Sequence, residues 1–196
     1  VNHKTSKSNG WQMADNFDMS ALSTYEKHWL MDTYVLTSGL NAIQNADCQL
    51  GVIDETLNLL SDEEMMAFID QNTHTAWIRQ IYHLVDDTPV IYARTVAPRV
   101  TFEQNQEALL SLKTRPIGET MLYGKKNVKR SPFFYRQIHH HEPCYQRAFT
   151  TPDHPKTLWG RRSLFYISGD PLLITEVFMS TMQHYAKPMR AHHEST

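Results

Sequence analysis

Glu176 stands where an apolar residue belongs. Residues 158–179, LWGRRSLFYISGDPLLITEVFM, read as two strands joined by the turn Ser168-Gly169-Asp170-Pro171. Side chains alternate along a strand, so Leu172, Ile174, Glu176 and Phe178 share one face. A carboxylate among three large apolar side chains is costly unless it is hydrogen-bonded, paired or protonated. The strand before it carries the opposite charge in the same way. Trp159, Arg161, Ser163, Phe165 and Ile167 share a face, and the adjacent Arg161 and Arg162 point to opposite faces, so at least one points inward.

A second hairpin repeats the conflict. Residues 76–85, AWIRQIYHLV, and 89–97, PVIYARTVA, flank Asp86-Asp87-Thr88. Trp77, Arg79, Ile81, His83 and Val85 share one face of the first strand; Val90, Tyr92, Arg94 and Val96 share one face of the second. A single arginine on the solvent side of a one-sided sheet is ordinary. Four arginines and a glutamate interrupting apolar faces in two hairpins suit a small, acidic, partly apolar molecule held by charge-assisted hydrogen bonds.

Composition narrows the field. The chain has 196 residues, enough for one domain, with 41% hydrophobic residues to build a core. A formal net charge of −2 gives no polyelectrolyte signal and argues against nucleic acid as a partner. Basic residues gather between Lys113 and Arg162, which fits a locally held anion better than a basic stripe. Cys48 and Cys144 are too few for a disulfide framework; the readings are two free thiols or one bridge. No run approaches the roughly 18 apolar residues of a membrane span, and VNHKTSKSNG lacks a signal-peptide core, so cytoplasm is the expected location.

Other elements must position these charges. Residues 1–22 read as a loose polar arm, 23–185 as the folded domain and 186–196 as a tail. Tyr25, His28, Trp29 and Asp32 have helical spacing, and a helix is expected within 33–40. A short strand is expected around 50–53. Ser61 and Glu64 form a capping box ahead of Met65, Met66, Phe68 and Ile69; Thr101 and Gln104 form another, opening a helix over 101–112. Pro116 and Gly118 set a turn that brings the backbone close to something. Residues 124–157 read as a long irregular excursion over one end of the sheet, with a helix from Ser131-Pro132 through Ile138.

Several familiar chemistries are absent as patterns. His139, His140 and His141 are adjacent, so their side chains diverge, and no HExxH or CxxC accompanies them; no metal site is expected. Seven glycines form no phosphate loop, and Ser163 lacks a GxSxG context. Nothing orients Cys144 and the nearby histidines as a thiol–imidazole pair.

Three segments resemble the chorismate lyase family: RQIYHLVDDTPVIYARTVAP at 79–98, KTRPIGETMLY at 113–123, and LWGRRSLFYISGDPLLITEVFM at 158–179. WLMDTYVLT at 29–37 is similar to the family's N-terminal helical segment. The resemblance implies an α+β fold: one domain with an antiparallel sheet of about six strands and helices packed over it. It implies elimination of pyruvate from chorismate to leave 4-hydroxybenzoate, the entry to the ubiquinone ring, by a monomer with no metal or organic cofactor. It also implies site roles. An arginine at the position of Arg79 holds the ring carboxylate, and a glutamate at that of Glu176 bonds the 4-hydroxyl. Backbone at Ile117, beside Gly118, adds a hydrogen bond, and Leu36 packs on the ring. Arg94 and the Arg161-Arg162 pair match family positions, as substrate contacts or as supports. Residues 124–157 are longer than the family pattern implies, and 41–75 match it poorly. The competing reading is a non-catalytic domain of the same fold that senses a small aromatic acid.

Overall fold

The structure is a computed structural model and describes residues 10–43, 45–68, 73–149 and 155–185. In chain order its strands and α-helices are β1 (Gln12–Met13), α1 (Thr24–Lys27), α2 (Leu36–Asn41), β2 (Cys48–Leu59), α3 (Asp62–Ala67), β3 (Thr75–Val85), β4 (Thr88–Pro98), α4 (Arg99–Leu110), β5 (Val128–Arg130), β6 (Phe134–His139), α5 (Pro143–Ala148), β7 (Thr157–Ile167) and β8 (Asp170–Phe178). One antiparallel sheet runs β1-β6-β7-β8-β4-β3-β2, with β5 also pairing β7. The fold is α+β. Six strands are long, as expected, and the two- and three-residue strands β1 and β5 bring the total among the described residues to eight.

The two hairpins lie side by side at the centre, and their registers fix which side chains share a face. Arg79 opposes Thr95, Thr95 opposes Ile174, and Ile174 opposes Ser163. One step along, Ile81 opposes Ala93, Ala93 opposes Glu176, and Glu176 opposes Arg161. On this face two apolar clusters flank the charges. One joins Trp29, Leu30, Leu36 and Leu40 to Val85, Ile91 and Phe178; the other joins Phe102, Leu109, Ile117 and Leu122 to Trp77, Phe165 and Leu172. Helical segments therefore roof both ends of this face, and the charged residues lie on the strip between. The opposite face is covered by Trp11, Tyr145 and Ala148 at one end and by Leu60 and Phe68 at the other.

Four local expectations need correction. Residues 131–138 contain strand β6 rather than a helix. The aromatic and β-branched side chains of FFYRQIH fit a pleated surface, and Pro132 interrupts a strand instead of opening a helix. Residues 10–22 are not a loose arm: β1 pairs β6, and Trp11 is only 1% exposed. α4 starts after Pro98 with no side-chain cap; the Thr101 hydroxyl, fully buried, donates to the Pro171 carbonyl at 2.8 Å instead. β2 is also far longer than the expected 50–53, bulging between Val52 and Asp54. The expected arm residues 1–9 and tail 186–196 lie outside the described residues.

The Ser61 capping box is present, and it has a second use. Glu64 Oε2 accepts from the Ser61 backbone and hydroxyl at 3.0 and 2.9 Å, while Oε1 accepts from Arg94 Nε at 2.6 Å. Burial alone would raise the Glu64 carboxyl, but the Arg94 guanidinium and the Ser61 amide outweigh it and hold it below its ordinary 4.5. A depressed folded value means stability that is complete above the ordinary range and lost as pH falls through the folded value. Glu64→Gln is expected to cost about 2 kcal/mol at pH 7, by leaving Arg94 buried without a counter-charge. The gap between the two proteins in urea unfolding should narrow as pH falls below 4.5; a gap independent of pH would show that the pair contributes nothing.

Candidate functional site

Arg79 and Glu176 lie on the same face, two strands apart and two residues offset, so their Cα atoms are about 12 Å apart. Both project between the two apolar clusters. Leu36 opens α2, 4% exposed, and Ile117 sits in the opposing roof segment, 7% exposed. Gly118 follows it in a single π-turn, Gly118–Leu122. A Cβ at Gly118 would stand 2.7 Å from Tyr123 Cε2, so this residue is small because the Tyr123 ring lies against its backbone. The structure thus brings Arg79, Glu176, Arg161, Leu36, Ile117 and Gly118 to one side of the sheet.

Arg79 is 1% exposed. Its Nη1 pairs with Glu55, its register partner on β2, and its Nη2 donates to the carbonyls of Lys113 at 2.5 Å and Arg115 at 3.4 Å. Three bonds leave part of its five-donor fork for a ligand. Burial pulls the Arg79 value down, and Glu55 pushes it back up. Arg79 therefore does two jobs: it offers a cation, and it ties down the turn that leads to Ile117 and Gly118.

Arg161 is fully buried and does the same at the other end. Its Nε donates to Glu176 Oε2 at 2.5 Å. Its Nη1 reaches the carbonyls of Thr33, Leu30 and Trp29 at 2.7, 3.0 and 3.3 Å. Those carbonyls close a π-turn, His28–Asp32, whose last acceptors have no partner within the turn. The same arginine thus holds the Glu176 carboxylate and the segment that carries Leu36.

Arg94 is not part of this group. Strand alternation turns it to the opposite face, where Glu64 takes its charge. Arg162 shares that face, as its adjacency to Arg161 requires, and burial lowers it to about 10 with Glu63 the nearest carboxylate, 3.6 Å away. Cys144 lies beside this second cluster, where burial pushes its thiol up to about 12, out of the range of a nucleophile. Both cysteines are free thiols.

Sequence reasoning missed several neighbours of Glu176 and Arg79. His83 was visible on the Arg79 face by alternation alone. It is 7% exposed, burial holds it below its ordinary value, and the charges of Glu176 and Glu119 oppose that shift. It floors a cavity of about 460 Å³ bounded by Thr37, Leu40, Leu50, Pro116 and Glu119. Tyr123 is pushed up to about 12 by burial and by Glu176. Glu55 needed the β2 register, which no local pattern supplies. Arg161→Lys keeps the charge but cannot serve one carboxylate and three carbonyls with a single ammonium. It is expected to cost about 2 kcal/mol in urea unfolding; an unchanged midpoint would reject Arg161 as the tie between sheet and roof.

The family model and the curated relatives point to one family. A family model described as chorismate lyase matches residues 6–190. A probable chorismate pyruvate-lyase of Bordetella avium is 31% identical over 179 residues, covering 88% of this chain and 89% of that one. A protein of Pseudomonas entomophila, named probable chorismate pyruvate-lyase 2, is 31% identical over 178 residues, covering 90% and 89%. Among solved structures, the C-terminal domain of the histidine utilization repressor of Pseudomonas syringae superposes with a TM-score of 0.51 at 10% identity, over 72% of this chain and 96% of that one. The effector domain of PhnF from Mycobacterium smegmatis gives 0.50 at 9%, over 75% and 89%. The last two show the shared fold alone. With its sheet, its paired charges and a family match over nearly its whole length, the chain belongs to the chorismate lyase family.

Proposed function

We propose that this protein converts chorismate to 4-hydroxybenzoate and pyruvate in the cytoplasm, as the entry to the ubiquinone ring, without a cofactor. The observation that carries this reading is the placement of Arg79 and Glu176 at two ends of one strip of sheet floor, with apolar clusters on either side. Arg79 faces the ring carboxylate, Glu176 the 4-hydroxyl, and Leu36 the ring. The Ile117 segment, beside Gly118, supplies a backbone hydrogen bond.

The chemistry asks for these residue types. The C3–O bond to the enolpyruvyl group breaks, the C4–H bond breaks, and the diene becomes an aromatic ring. The electron pair of C4–H enters the ring, and that of C3–O leaves with the enolpyruvate oxygen. The proton ends on the methylene carbon of the departing group, giving pyruvate. Aromatisation drives the step, so the protein's task is to hold the ring and side chain in a reactive geometry and to stabilise the departing oxygen. A guanidinium is suited to that charge because it stays protonated and presents a fixed fork.

Mixing purified protein with chorismate should produce 4-hydroxybenzoate, followed by its absorbance; absence of product would overturn the reading in favour of a sensing domain. Arg79→Ala should raise KM at least tenfold, since it removes a charge-assisted bond worth about 1.5–3 kcal/mol. Glu176→Gln separates two roles. A fall in kcat of about 10²-fold or more marks a base, and a fall of less than about tenfold marks a hydrogen-bond partner.

The product keeps the ring, the carboxylate and the hydroxyl, so it keeps the contacts at Arg79, Leu36 and Glu176. Product inhibition and slow release are expected. Progress curves should bend early and straighten when 4-hydroxybenzoate is removed by a coupling enzyme. Linear curves at high added 4-hydroxybenzoate would count against the shared site.

A further inference from the structure

Among the described residues, the buried donors without an acceptor on the Glu176 side of the site include Nε and Nη1 of Arg130 and Nη2 of Arg161. Burying an N–H of a cation without a partner is costly, so such groups are rare unless something else completes them. Arg130 stacks on two rings, its Cζ 3.7 Å from the centroid of Tyr34 and 3.9 Å from that of Phe133. The Phe133 ring also carries Arg161, whose Cζ is 4.2 Å from its centroid. Arg130, Arg161 and Glu176 all act on the Tyr123 hydroxyl. The orphaned donors therefore cluster beside the Arg161–Glu176 pair, at the end of the floor away from Arg79.

The backbone shows why Arg130 is there. Arg130 opposes Phe165 and Phe134 opposes Arg162, so this edge uses four steps against three on β7. The extra residue is a bulge at Ser131-Pro132, with the Ser131 amide donating to the Leu164 carbonyl at 2.8 Å and the Ser131 hydroxyl accepting from the Leu164 amide at 3.0 Å. On a regular strand Arg130 and Phe133 would face opposite ways. The bulge puts both on the Glu176 face. Tyr34, over which the guanidinium lies, is 56% exposed.

We propose that Arg130, with Nη2 of Arg161, forms a second carboxylate subsite that takes the enolpyruvyl carboxylate of the substrate. This rests on the lyase reading. In chorismate the enolpyruvyl ether is on C3, next to the C4 hydroxyl assigned to Glu176, so its carboxylate falls on the Glu176 side of the site. Arg130 is then a specificity-determining residue: it contacts a group that the substrate has and the aromatic product lacks.

The test compares two probes in equilibrium binding, 4-hydroxybenzoate and 3-(carboxymethoxy)-4-hydroxybenzoate, which adds a second carboxylate on an ether at C3. The wild-type protein should prefer the dicarboxylate. Arg130→Met, which keeps an apolar stem against Tyr34 and Phe133, should abolish the preference while leaving 4-hydroxybenzoate affinity within about threefold; Arg130→Lys should restore part of it. In turnover, Arg130→Met should lower kcat/KM for chorismate by about 10- to 100-fold. A wild type that binds both probes equally, or a variant that weakens both equally, overturns the subsite and leaves Arg130 a packing residue. If Arg130→Met does not fold, Arg130→Gln carries the same comparison. A preserved preference in wild-type protein that does not consume chorismate would sink the lyase reading and leave the subsite standing.

Discussion

The structure depends on one buried guanidinium. Arg161 has no solvent contact, and removing a charge from water costs several kcal/mol even after relaxation. That cost is offset by one carboxylate and three carbonyls. The carbonyls are the unpaired end of a π-turn and carry partial negative charge in any case. The sheet floor and the roof therefore meet through a single planar fork. Moving the roof would strand both the arginine and the carbonyls, so Leu36 and Glu176 keep a fixed relation. Arg79 repeats the device at the other end, where Lys113 and Arg115 carbonyls from the opposite roof segment close on it.

The two faces of the sheet use arginine differently. On the face away from the site, Arg94 has a carboxylate in a two-bond contact, and that carboxylate also caps α3. Arg162 and Arg136 both lie near Glu63. Those charges are spent on one another. On the site face, among the described residues, guanidinium N–H groups of Arg130 and Arg161 are left without an acceptor. A buried cationic donor without a partner is destabilising in isolation and becomes favourable once an anion arrives. This is the signature expected of a binding site that departs from the consistency of the rest of the fold.

Much of this was legible in alternation. The faces of β3, β4, β7 and β8, the inward Glu176, the Arg161–Arg162 divergence and the Ser61 capping box all followed from period two and local spacing. What local spacing could not supply was anything set by strand register or by a distant partner. Arg94 interrupts an apolar pattern as Arg79 does; only the sheet reveals that its face is the other one. Ser131-Pro132 has the form of a helix start, yet the pairing of Phe134–His139 with β7 outweighs it. Thr101 has the form of a cap, but a carbonyl from β8 takes its hydroxyl. Trp11 lies in a polar stretch with no period, and its burial depends on residues far along the chain.

A fold shared at 9–10% identity with the C-terminal domain of a repressor and with an effector domain shows how little the scaffold says about what the site does. A sheet with a roof at each end holds a flat molecule; holding is enough for a sensor. A lyase must do more, because contacts made equally to substrate and product slow release without speeding the chemical step. In the proposed reaction, the contacts of Arg79, Leu36 and Glu176 would be of that uniform kind, since the ring, its carboxylate and its hydroxyl survive. Contacts to the enolpyruvyl arm are of the other kind: they exist before the C3–O bond breaks and vanish with pyruvate. The unpartnered donors of Arg130 and Arg161 lie on the side proposed for that arm. Binding energy placed there orients the leaving group and is then surrendered, which is what distinguishes a catalyst from a trap for its own product.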